Sequence, residues 1–187
     1  MLQYLPNALT VSRLLLAVPL GVLITRGEYE LALGVGFLAG VTDGLDGFFA
    51  RRLGAYSRFG AALDPLADKV LITVAFLGFA YMGLIPWYVA ITVIARDLVI
   101  VTGATCYHFL IGPFEFAATR LSKLNMLVQI LFCVLVLAMQ VMGGAPPGVM
   151  EAATAAVLAI AVASGVDYVI SWSIRAMQNR DKGERGQ

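Results

Sequence analysis

Charge is what this sequence has least of. Only 13% of its 187 residues are Asp, Glu, Lys or Arg, against 60% hydrophobic, and the mean hydropathy is +0.85. That balance excludes an ordinary soluble domain and puts the chain in the membrane class, as one domain. There is a single histidine, His108, and two cysteines, Cys106 and Cys133, both inside apolar runs without metal or redox spacing. No disulfide framework is implied, and both thiols read as buried small hydrophobes. No Gly-Lys-Ser or Gly-Lys-Thr phosphate loop exists, which argues against ATP-driven work. Repeats and low-complexity segments are absent too. The start, MLQYLPNALTVSRLLL, lacks the basic region and small-residue cleavage site of a removable leader, so it is expected to stay in the mature protein. Its Leu2, Leu5 and Pro6 read as a short interfacial lead-in. The formal net charge of +1 says little by itself, and no nucleic-acid partner is expected.

What is present is a series of apolar runs, near residues 8–25, 30–50, 61–82, 85–110, 121–142 and 149–174. Each is long enough to cross a hydrocarbon core of about 30 Å. The expected architecture is therefore an all-α integral membrane protein of six transmembrane helices, with residues 1–177 as the membrane domain and 178–187 as a loose polar tail. Breaks with turn chemistry fall at Arg26-Gly27-Glu28, before Gly60, at Gly83 to Pro86, at Ile111-Gly112-Pro113 and at Gly143 to Gly148. Arg51, Arg52 and Arg58 lie in the second loop, Arg120 and Lys123 near the fourth, and Arg175, Arg180, Lys182 and Arg185 at the C-terminus. Under the positive-inside rule this alternation puts both termini in the cytoplasm. Ala32, Gly36, Gly40 and Gly44 recur at steps of four, a stripe expected to serve helix packing.

The scarce acids are concentrated. Asp43, Asp46, Gly47 and Ala50 fall at i, i+3, i+4 and i+7, and Gly60, Asp64 and Asp68 at i, i+4 and i+8, each set on one helical face. Four carboxylates in so apolar a chain are costly without partners. An antiparallel helical hairpin would bring the two pairs together as an oxygen cage. Oxygen-only ligands suit Mg2+ or Mn2+, and the lack of histidine or thiol suits zinc and copper poorly. Two such ions, about 3.5–4 Å apart, could bridge a diphosphate and stabilise a displacement on it. Unrelated acid pairs at helical spacing are the bland alternative, disfavoured by the apolar setting. Pro65, directly after Asp64, puts either the regular start of the third helix or a kink there.

The run Asp43-x2-Asp46-Gly47-x2-Ala50-Arg51-x8-Gly60-x3-Asp64-x3-Asp68 resembles the complete signature of the CDP-alcohol phosphatidyltransferases, with every fixed position filled. The resemblance extends from Leu5-Pro6-Asn7 to about Gln129. It implies transfer of a phosphatidyl group from CDP-diacylglycerol to an alcohol, with release of CMP. By that resemblance Asp43, Asp46 and Asp64 are metal ligands, and Asp68 joins the metal site and acts as general base. Gly47, Ala50 and Gly60 would border the cytidine and its diphosphate. Arg51 would contact phosphate, its guanidinium fork suiting paired oxygens, and Ser57 would be available for a hydrogen bond. As an alternative, Arg51 is a topology-setting interfacial charge. Asn7-x2-Thr10-x2-Arg13 resembles a segment placed near the donor's phosphates, although Asn7 could simply cap the first helix and Arg13 snorkel. Arg96-Asp97 and Lys123-x-Asn125 lie where charges should face the bundle interior. They form structural pairs or shape the acceptor pocket, and the resemblance favours the pocket for Arg96 and Lys123. Asp167 has no motif around it. A homodimer and a bacterial inner membrane are further expectations from the family and from the missing presequence.

The acceptor is the least determined part. Arg96-Asp97-Leu98-Val99-Ile100, Leu121-Ser122-Lys123-Leu124-Asn125 and Ala62-Leu63-Asp64-Pro65-Leu66-Ala67-Asp68-Lys69 look most like the CMP-forming cardiolipin synthases, whose acceptor is phosphatidylglycerol. The related phosphatidylglycerophosphate synthases use glycerol 3-phosphate. A phosphomonoester dianion calls for more cationic donors than a lipid phosphodiester, and few are present here. A single histidine excludes the phosphohistidine route of phospholipase-D-like enzymes, which needs two His-x-Lys-x4-Asp motifs. Intramembrane acids also build ion pathways, so a divalent-cation transporter is the reading from another class. It would spread acids about the midplane and often show an inverted repeat.

Overall fold

A computed structural model describes the backbone of residues 5–53, 58–111 and 120–184, and side chains within 11–42, 69–103 and 121–170. Among the described residues there are six helices: α1 (Leu5–Thr25), α2 (Tyr29–Leu53), α3 (Arg58–Tyr81), α4 (Trp87–Ile111), α5 (Arg120–Val141) and α6 (Val149–Glu184). All but the last match the expected runs closely. α6 is 36 residues long and carries the helix through most of the tail expected to be loose. The tail's Gln, Arg, Lys and Glu are good helix formers, and no proline interrupts them. α3 begins at Arg58, so Pro65 lies inside the helix rather than opening it.

Three helix ends share one device. Past α1 the amide of Gly27 donates to Ile24 and that of Glu28 to Leu23; past α3, Gly83 donates to Ala80 and Leu84 to Phe79; past α5, Gly143 donates to Gln140 and Gly144 to Met139. Each is a Schellman cap, and its glycine takes the required positive φ: 74° at Gly27, 71° at Gly83 and 87° at Gly143. The chain reverses sharply at each, so the turns into α2, α4 and α6 fall where the glycines stand.

α1 packs on α2 and α3, α5 on α2, α3 and α6, and α4 on α3 and α6. The tightest approach joins α1 and α3. A Cβ on Gly21 would come within 2.8 Å of Val74 Cγ1, and one on Gly78 within 2.9 Å of Ile24 Cγ2. Gly21 meets Val74 and Ile24 meets Gly78, so the two helices run in the same direction. The α2 stripe behaves otherwise. Ala32 is buried, but a Cβ on Gly36 or Gly40 would have nothing within 4 Å. Close helix approach is thus made by Gly21 and Gly78 rather than by those two α2 glycines. Spacing shows that a face is small, but not which helix comes to it.

The core is apolar: Ile24, Phe76, Phe79, Val89, Val93, Phe132, Val136 and Val157 are buried in one cluster, and Phe76 stacks on Phe132 with ring centroids 5.5 Å apart. Cys133 packs against this cluster as expected; the side chain of Cys106 lies outside the described residues. The outside is apolar as well. Leu15, Val18, Phe37, Leu38, Ile91, Leu98, Leu131 and Ile170 are all exposed. A belt of this kind on several helices is what lipid tails require, and it far exceeds the patches of soluble monomers. Tyr81, Trp87 and Tyr88 stand exposed around the α3–α4 turn, the level at which amphipathic rings mark a membrane interface. Among the described residues, Leu121–Val141 and Val149–Ile170 are long and apolar enough to cross a membrane on their own.

Candidate functional site

The helices put the acid signature on two elements. Asp43, Asp46, Gly47, Ala50 and Arg51 fall in α2, and Gly60, Asp64 and Asp68 in α3. The expected helical spacing therefore holds on both, and each pair of acids shares a helical face. Their side chains lie outside the described residues, as do those of Asn7 and Thr10 on α1; Ser57 lies outside them altogether. Among the described residues α2 and α3 do not touch directly, and α1 and α5 each contact both. α1 and α5 thus bracket the acid-bearing helices, and the expected convergence of the four acids lies outside the described residues.

The described part of the site is a buried polar junction centred on Arg96. An arginine ten residues into an apolar helix has to find partners or bear a large desolvation cost. Arg96 is 9% exposed and finds three. Its Nη1 donates to Asp97 Oδ1 at 2.6 Å, and its Nη2 donates to Ser122 Oγ of α5 at 3.1 Å and to Ser164 Oγ of α6. Asp97 Oδ1 also lies 3.7 Å from Lys69 Nζ of α3. Four helices meet in this set of side chains, and Lys69 directly follows Asp68. The Arg96 stem lies along α6, where a Cβ on Gly165 would be in ordinary contact with it at 3.6 Å.

α3 and α5 are parallel here. Phe76 faces Phe132 at one level, and Lys69 joins Ser122 through Arg96 and Asp97 at another. Seven residues back along each helix from the stacked rings are Lys69 and Asn125, so the α5 amide shares the level of the junction. Asn125 and Gln129 are both buried, and Asn125 Oδ1 and Gln129 Nε2 have no hydrogen-bond partner. Arg13 of α1 is 2% exposed, deeper than a side chain snorkelling to headgroups would be.

Of the sequence-derived candidates, the structure therefore buries Arg13 and Arg96. It leaves Lys123 exposed, and α5 reaches Arg96 through its neighbour Ser122 instead. Sequence reasoning did not single out Lys69, Ser122 or Ser164. Lys69 and Ser122 sit inside stretches that carry the family resemblance, whereas Ser164, in an Ala-Val-Ala-Ser-Gly-Val run, has no such signal. Asp167 is half-buried and acquires no role.

An all-helical, membrane-associated bundle with an acid signature on two helices and a buried cationic junction beside one of them is a defined class of protein. A model of the family described as CDP-alcohol phosphatidyltransferase matches residues 3–167, and the chain belongs to that family. It is 46% identical over 98 residues to a cardiolipin synthase (CMP-forming) of Rattus norvegicus, covering 52% of this chain and 32% of that protein. It is 40% identical over 100 residues to the chloroplastic CDP-diacylglycerol–glycerol-3-phosphate 3-phosphatidyltransferase 1 of Oryza sativa subsp. japonica, covering 54% and 30%. It is also 38% identical over 101 residues to a probable phosphatidylglycerophosphate synthase of Mycobacterium tuberculosis, covering 50% and 48%. The chain thus spans from about a third to a half of the length of these relatives.

Proposed function

We propose that this chain is a phosphatidyltransferase of phospholipid synthesis, moving the phosphatidyl group of CDP-diacylglycerol onto an alcohol acceptor with release of CMP. The observation that carries the reading is the unbroken acid signature in helical register on α2 and α3, in a chain whose family match covers 3–167. The acceptor hydroxyl attacks the phosphorus that bears diacylglycerol; a new oxygen–phosphorus bond forms, the bond to the cytidylate oxygen breaks, and CMP carries away the electron pair. Asp68 takes the hydroxyl proton.

The donor set is all oxygen and arranged in helical pairs, which fits Mg2+ or Mn2+. Asp43, Asp46, Asp64 and Asp68 would hold two such ions, which when bound supply the positive charge that lets a nucleophile approach a diphosphate. Gly47, Ala50 and Gly60 leave room for the cytidine and diphosphate, with Arg51 and Ser57 on its oxygens. Asn7, Thr10 and Arg13 take the donor's lipid-side phosphate. The register of α1 on α3, set by Gly21 against Val74 and continued toward the helix starts, runs Arg13 toward the stretch of α3 that carries Asp64 and Asp68. Arg96 and Lys123 serve the acceptor.

The acceptor proposed is phosphatidylglycerol, making the chain a CMP-forming cardiolipin synthase. Support comes from the Arg96-Asp97 pair and the scarcity of further cationic donors in the sequence of α4 and α5, and from relatives named cardiolipin synthase (CMP-forming) at 46% and 45% identity. Glycerol 3-phosphate is the second reading, favoured by the rice and mycobacterial relatives. Six spans, both termini in the cytoplasm of a bacterial inner membrane, and a homodimer complete the proposal. The test is CMP release by the purified protein from CDP-diacylglycerol with either acceptor, with and without EDTA. Release with phosphatidylglycerol, abolished by chelation and restored by Mg2+, is expected. Release with glycerol 3-phosphate alone would overturn the acceptor, and undiminished turnover in metal-free buffer would overturn the metal.

A further inference from the structure

The acid signature lies on α2 and α3, and nothing in it involves the last helix. Yet α6 reaches the polar junction through Ser164. Ser164 is fully buried, its Oγ accepts from Arg96 Nη2, and the Arg96 stem passes the adjacent Gly165 at a distance where a Cβ would be in ordinary contact with it. From this we infer that Ser164 is a positioning residue for the acceptor: it fixes the orientation of the Arg96 guanidinium, and α6 thereby takes part in acceptor recognition.

The argument is one of donors and acceptors. A guanidinium has five N–H groups and no means of shedding its charge. Asp97 holds Nη1 from the same helix, which sets a distance but leaves the plane of the group free to turn about its long side chain. The second terminal nitrogen is held from two other helices, by Ser122 and Ser164. Those two hydroxyls fix the plane. Arg96 Nε is buried without a hydrogen-bond partner, so the group has little to lose by turning once a hydroxyl is removed. Asp97 shares its carboxylate with Lys69, next to Asp68, and a turned guanidinium would pull on that link as well. The neutral hydroxyl matters in its own right: it orients the cation without cancelling its charge, leaving that charge to attract an anionic acceptor.

This inference rests on the reading of Arg96 as part of the acceptor pocket, and its test separates the two. CMP release is measured in detergent micelles with Mg2+, varying phosphatidylglycerol and CDP-diacylglycerol in turn. Ser164→Ala should raise the KM for the acceptor about ten-fold while the KM for CDP-diacylglycerol stays unchanged, and a fall in Tm accompanies it because the lost bond is a buried one to a charged group. Ser164→Thr, which keeps the hydroxyl, should restore the acceptor KM. In a cycle with Arg96→Lys, the double variant should be no worse than Arg96→Lys alone, because both changes act on one group. An unchanged acceptor KM in Ser164→Ala, equal rises in both KM values, or additive losses in the cycle would each overturn the inference. A wild type active with glycerol 3-phosphate alone would overturn the choice of acceptor. The same KM ratio, measured on glycerol 3-phosphate, would still decide the part played by Ser164.

Discussion

At the scale of single residues, the apolar setting turns every charge into a statement about partners. Arg96 answers with Asp97, Ser122 and Ser164, and Asp97 is the group that joins it to Lys69. Replacing Asp97 by Asn keeps the shape but removes the charge that both cations face. Loss of one partner from a buried ion pair costs about 3–5 kcal/mol; with Asp97 part-exposed and Lys69 3.7 Å away, the low end is expected, read as a fall in Tm accompanied by a drop in CMP release. A variant with wild-type Tm would show that the junction is not a structural tie. Asp68→Asn is expected to behave differently. It removes what we propose to be the proton acceptor and a metal ligand, so CMP release should fall below detection, while the folded fraction, followed by size exclusion in detergent, is kept. The helical placement of the acids was legible in the sequence, because scarce charge at helical spacing in an apolar chain has few explanations. Ser164 was not, since a serine in an Ala-Val-Ala-Ser-Gly-Val run declares nothing until folding brings Arg96 to it from 68 residues away.

At the scale of elements, glycine serves two purposes that spacing alone does not separate. The cap glycines, Gly27, Gly83 and Gly143, were readable as breaks because each is followed by turn chemistry, and all three take positive φ. Of the stripe expected to pack on α2, Ala32 is buried, Gly36 and Gly40 have nothing near them and Gly44 lies outside the described residues, while the close glycine contacts are found between α1 and α3. The contrast yields a paired prediction. Gly21→Ala forces a methyl to within 2.8 Å of Val74 Cγ1, on a β-branched side chain with little freedom to retreat, and overpacking of this kind costs about 1–3 kcal/mol. Its Tm in detergent should fall by several degrees. Gly40→Ala meets nothing within 4 Å and should leave Tm at or above the wild-type value. Equal effects at the two positions would remove the α1–α3 contact as the explanation. The bounds of α6 carry a related lesson: hydropathy marks where lipid ends, and helix propensity carries the backbone on through the polar residues to Glu184.

At the scale of the whole molecule, the caps and most of the cations at helix ends sort to opposite sides, Arg26 beside Gly27 being the exception. The turns after α1, α3 and α5 hold Gly27, Gly83 and Gly143, with exposed Tyr81, Trp87 and Tyr88 at the middle one. Arg51, Arg52, Arg58, Arg120, Lys123 and the basic residues of the C-terminal stretch belong to the opposite helix ends. With α1 parallel to α3 and α3 to α5, the polarity of one helix sets that of its neighbours, and the orientation we propose, from the positive-inside rule, turns the acid signature toward the cytoplasm, the side on which the proposed nucleotide-linked donor would be supplied. Single-cysteine labelling tests this without relying on catalysis. In a background with Cys106→Ala and Cys133→Ala, Ala145→Cys, in the α5–α6 turn, should react with a membrane-impermeant maleimide added to intact cells. Asn179→Cys, beyond the last apolar stretch of α6, should react only after the membrane is opened. The reverse pattern would invert the bundle and overturn the proposed orientation of its acids. Labelling of both positions from outside would mean that α6 does not cross the membrane, and the junction that Ser164 makes with Arg96 could not then lie within it.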